Sequence, residues 1–81
     1  MDGRVEMKIN NAATASEYAA IWKSQATPGR AAQRLIAAAN DCESRGLADK
    51  HKLPEFAKGM LDAARILRIE AFGLAPSLFQ P

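Results

Sequence analysis

Apolar positions recur along this chain at the three-to-four-residue spacing of helices, in three blocks separated by proline, glycine or a charged run. The longest block, from Pro54 to Phe72, reads PEFAKGMLDAARILRIEAF. Proline at a first helical position lacks only an N–H that would have no partner there, and Gly73 just past the end supplies the left-handed residue that closes many helices. Wound at about 100° per residue, the block places Phe56, Ala57, Met60, Leu61, Ala63, Ala64, Leu67, Ala71 and Phe72 on one arc, with Glu55, Lys58, Asp62 and Arg65 opposite. That arc is the expected core face. Ile66 and Ile69 fall outside it, among Glu55, Asp62 and Arg65. Either another segment of the chain covers them or they meet a partner, since a helix apolar nearly all round is usually a buried one.

The second block runs from Pro28 to about Arg45 and is expected to stop at Gly46, with Thr27 as its N-cap and Pro28 at its first position. Ala31, Ala32, Leu35, Ile36, Ala38, Ala39 and Cys42 share one side; Gln33, Arg34, Asn40, Asp41, Ser44 and Arg45 share the other. The apolar face is mostly alanine, which permits close approach of another helix. Ahead of it, Thr14-Ala15-Ser16-Glu17 reads as a capping box that opens a helix near residues 15–25. Ala15, Tyr18, Ala19, Trp22 and Ala26 lie on one face of that helix, so the only tryptophan and the only tyrosine sit one turn apart. They either anchor the helix to the core or form an exposed recognition patch. Two blocks of similar length joined by the short connection Leu47 to Leu53 make an antiparallel helical hairpin, and the shorter N-terminal helix packs on it.

The ends differ from this pattern. Val5, Met7 and Ile9 alternate with polar residues, as on one face of an extended segment. A single strand leaves its backbone groups unpaired, so this arm pairs with a copy of itself, adds to a partner's sheet edge, or frays. Met7 is also a possible second translation start. The last eight residues hold two prolines, Pro76 and Pro81, and cannot continue a helix, yet Leu74, Leu78 and Phe79 are too apolar for a free tail. The expected organisation is one all-α domain, with an arm over 1–13, a helical core over 14–73 and a non-helical tail over 74–81.

Length sharpens the problem of stability. A chain of 81 residues buries only about 60% of its unfolded surface, and small proteins usually add disulfides, a metal or a second subunit. Cys42 is the only cysteine and cannot pair within the chain, which suits a reducing compartment. One histidine and one cysteine without spaced partners make no zinc site. Oligomerisation or a well-packed core remains, and a homodimer is the expectation. With 11 basic and 9 acidic side chains, a net charge of +2 gives no strong electrostatic footprint. No apolar run is long enough to cross a bilayer, and the N-terminus lacks a basic region followed by an apolar stretch, so a cytoplasmic protein is expected.

No constellation for chemistry is visible. Glu17, Asp41, Glu43, Asp62 and Glu70 belong mainly to polar faces, and the glycines are too scattered for a phosphate-binding loop. No catalytic residue, cofactor or metal is therefore expected. A small DNA-binding regulator is the rival reading, through a likeness to helix-turn-helix proteins in the helix ending at Gly46 and the LADKHKL that follows. Pro54 interrupts what would be the recognition helix, and nearby acids offset Arg30, Arg34, Arg45, Lys50 and Lys52, so nucleic acid is not the favoured partner. The favoured reading is a non-enzymatic protein-interaction module whose interface draws on Ile66, Ile69, Leu74, Leu78 and Phe79.

The stretch Phe56-Ala-Lys-Gly-Met-Leu-Asp-Ala-Ala-Arg-Ile-Leu-Arg68 resembles a segment found in small helical accessory proteins of bacteriophages and prophages. The resemblance covers the third helix only. It implies a protein that acts in the bacterial host cell by binding, and so inhibiting or redirecting, a bacterial factor such as a component of antiviral defence. It implies no site residues.

Overall fold

A computed structural model describes residues 8–76. The described chain is all-helical: α1 (Ala12–Gln25), α2 (Pro28–Ala48) and α3 (Pro54–Leu74). The antiparallel α2–α3 hairpin and the shorter α1 expected from the sequence are present.

Each helix boundary has a local cause. Asn11, not Thr14, caps α1: the Asn11 side chain accepts from the Thr14 N–H at 2.9 Å, and Thr14 Oγ1 accepts from the Asn11 N–H at 3.1 Å. The reciprocal box expected at Thr14 thus sits three residues earlier, because Ala12 and Ala13 are strong helix formers and Asn-x-x-Thr satisfies the first-turn donors. At α2, Thr27 caps by accepting from the Arg30 N–H at 3.4 Å, and Pro28 occupies the first turn as expected.

Neither glycine expected to end a helix does so. Gly46 lies inside α2, buried, and a Cβ built there would meet Leu61 Cγ at 3.1 Å and the Ala57 carbonyl oxygen at 3.2 Å. Its role is to let α2 approach α3. Gly73 likewise stays within α3, which continues to Leu74 because the leucine packs partly buried against the core. Ala75 then leaves the helical region, at φ −147 and ψ 75, where the following Pro76 disfavours helical backbone.

Glu43 of α2 bonds Arg68 of α3, and Gly46 touches Leu61, so the two helices run antiparallel. α1 follows the direction of α3. The Asn10 carbonyl lies over Gly59 near the start of α3, and Lys23 meets Glu70 at 2.5 Å near its end. A Cβ at Gly59 would overlap that carbonyl, so the glycine leaves room for the chain entering α1. Ile9, next to it, packs against the core rather than fraying; Val5 and Met7 lie outside the described residues.

The core is small-sided. Ala15, Ala19, Ala32, Ala39, Ala63, Ala64 and Ala71 are buried around Leu35, Met60 and Leu67, with Cys42 among them and, among the described residues, no buried polar or charged one. Alanine lets three helix backbones pack closely, and the three long side chains fill what is left. Trp22 and Tyr18 of α1 anchor the edge of this core, edge to face at 6.4 Å between ring centroids, with the Arg34 guanidinium 5.3 Å from the indole centroid. The Trp22 Nε1–H is buried without a hydrogen-bond acceptor.

Candidate interaction surface

α1 and α2 cover two sides of α3 and leave the third open. Ile66 and Ile69 stand three residues apart, roughly 60° around the helix, and that angle separates their fates. Ile66 turns toward the covered side and packs partly buried against the core. Ile69 is 60% exposed. Phe72, expected in the core, is 52% exposed, and Leu61 is half-buried. Both lie on the core arc expected from the sequence, since a helix wheel fixes the width of an apolar stripe but not which flank the neighbouring helices cover.

Leu61, Ile69 and Phe72 line a shallow depression of ≈ 580 Å³ together with Arg65, Arg68 and Glu43. A second depression of ≈ 390 Å³ is lined by Lys50, Pro54, Ala57, Lys58, Leu61 and Asp62. Leu61 belongs to both, so the two depressions adjoin at Leu61 and together make a furrow along the outer side of α3. Its apolar floor is Leu61, Ile69 and Phe72, three residues that a helix brings to one flank at spacings of eight and three.

Charge is distributed unevenly along the rim. Arg68 donates to Glu43 through two nitrogens, at 3.0 and 3.3 Å, and to Asn40 Oδ1 at 3.0 Å. This fork ties α2 to α3 and fixes that end of the furrow. Among the described residues, Arg65, Lys58 and Lys50 make no ion pair. Of the other sequence-predicted interface residues, Leu74 packs partly buried on the core, and Leu78 and Phe79 lie outside the described residues. Leu47 and Leu53, the ends of the connection expected from the sequence, are 56% and 55% exposed and carry further apolar surface; Leu47 lies in the last turn of α2.

The remaining features offer little chemistry. Among the described residues no group of three His, Cys, Asp or Glu side chains is placed to hold a metal ion. Cys42 is buried, and burial pushes its thiol above the ordinary range; the Asp41 carboxylate adds to this and Arg45 opposes it. A nucleophilic cysteine needs the reverse shift. Among the described residues no helix is long and apolar enough to cross a membrane.

The chain matches no protein-family model, no curated protein and no solved structure.

Proposed function

We propose that this protein is a non-enzymatic interaction module that acts by stoichiometric binding, with the outer face of α3 as its docking surface. The observation that carries this reading is the joined furrow of Leu61, Ile69 and Phe72, open to solvent on a helix whose other sides are packed. Large exposed side chains clustered on a rigid scaffold are what an interface core requires, with polar groups at its rim. The likeness of Phe56–Arg68 to segments of phage and prophage accessory proteins supports a bacterial factor as target, inhibited or redirected when bound. The lone cysteine, buried and without a disulfide partner, supports a reducing compartment such as the bacterial cytosol.

Photocrosslinking tests this directly. A benzophenone amino acid at position 69, in cells producing the protein, is expected to give a discrete protein adduct; the same group at exposed Gln33 of α2 should give none. Ile69→Asp should leave helicity intact and shift stability by no more than about 0.5 kcal/mol, as for most exposed positions. Adducts of equal strength at both positions, or none at position 69, would overturn the reading.

A further inference from the structure

We infer that the partner docks an amphipathic helix whose apolar stripe is bordered by carboxylates. The inference rests on the docking surface proposed above and concerns what fits it. The furrow runs from Pro54 to Phe72, eighteen helical steps, or about 27 Å at 1.5 Å per residue. It follows the α3 axis and is floored by side chains at helical spacing. A rod with its own ridge of apolar groups fits such a floor. A strand would find no sheet edge to join among the described residues, which contain only helices.

Charge then selects among helices. Lys50, Lys58, Arg65 and Arg68 line the furrow on the basic side, against Glu43 and Asp62. Arg68 and Glu43 satisfy one another, leaving three cations to one carboxylate. A second copy of this chain is poorly suited to the site. A two-fold pairing through this face would bring both copies' Lys50, Lys58 and Arg65 to one interface, against one unpaired lining carboxylate, Asp62, from each chain. Like charges brought together at an interface are costly, and complementary ones steer and orient the partner. Glutamates or aspartates flanking an apolar ridge meet Arg65 and Lys58 while leucine-like groups reach Ile69, Phe72 and Leu61.

Two fluorescent peptides of about 18 residues, with the same leucine stripe and either glutamate or lysine borders, test the inference by anisotropy against the full chain. The acidic peptide should bind about tenfold or more tighter than the basic one. Ile69→Asp should weaken it by at least about tenfold, and the double substitution Lys58→Glu with Arg65→Glu should reverse the preference. Circular dichroism of each variant establishes that it is folded. Four results would overturn the inference: equal binding of both peptides, no binding of the acidic one, no reversal in the double variant, or displacement of the acidic peptide by a DNA duplex or by self-association through this face. If the peptides fail while the position-69 adduct persists, α3 still docks a protein and only the acidic helix is wrong. Loss of the adduct as well removes both.

Discussion

Cys42 sits in the three-helix core, 3% exposed, with its thiol held protonated by burial first and by the Asp41 carboxylate second. The folded chain therefore keeps this proton to higher pH than the unfolded chain, whose thiol titrates near 9.0. Below that value the thiol is neutral in both states and has no effect. As pH rises past it, the unfolded state gains by ionising and stability falls, until the folded thiol ionises too. Urea midpoints for the wild type and Cys42→Ala, measured between pH 7 and about pH 10, should show a steeper alkaline loss in the wild type. Alkylation by iodoacetamide near neutral pH should be slow in the folded protein and fast in urea. The burial of Cys42 was legible from its place on the α2 wheel. The division between Ile66 and Ile69 was not: both lie off the core arc, and only the side on which α1 docks decides which of the two is covered.

At the scale of the element, the same residue type plays opposite parts in α2 and α3. Gly46 allows α2 to lie against Ala57 and Leu61, whereas a Cβ at Gly73 meets nothing within 4 Å. Alanine in place of a helical glycine gains up to about 1 kcal/mol in propensity, but overpacking a tight contact costs about 1–3 kcal/mol. Gly73→Ala should therefore stabilise the fold, by less than the full gain because Gly73 lies in the last turn of α3. Gly46→Ala should destabilise it, and chemical denaturation of the two variants should give midpoint shifts of opposite sign. Helix number, order and approximate extent were readable from proline, spacing and polarity. The C-terminal limits of α2 and α3 were not, since a glycine that breaks a helix and one that admits a neighbour look alike until the neighbour is known. Asn11 was missed for a related reason: Thr14 carries a capping signal at two registers, and Ala12 and Ala13 favour the earlier.

At the scale of the molecule, the described residues form a slab, 38 × 38 × 17 Å, thin enough that each helix keeps one side toward solvent. For α1 and α2 that side is largely polar. For α3 it is the furrow, so the proposed docking surface follows from having three helices among the described residues where a fourth would be needed to enclose α3. The three do not contribute equally. α2 and α3 each place six residues in the buried interior, and α1 places two, Ala15 and Ala19. Its further hold comes from Tyr18, Trp22 and the Lys23–Glu70 pair, and the Trp22 N–H is buried there unpaired, at a cost of about 1–3 kcal/mol.

Because that indole is the only one in the chain, nature has placed a single optical probe on the seam where the lightest element meets the rest. Its fluorescence reports the docking of α1, while far-ultraviolet circular dichroism reports mostly the hairpin. If the slab melts as one unit, the two signals coincide on heating. The uneven burial predicts that they separate, the tryptophan reddening first. The molecule would then pass through a state in which the hairpin stands without its first helix and the covered flank of α3, with Ile66, joins the open one.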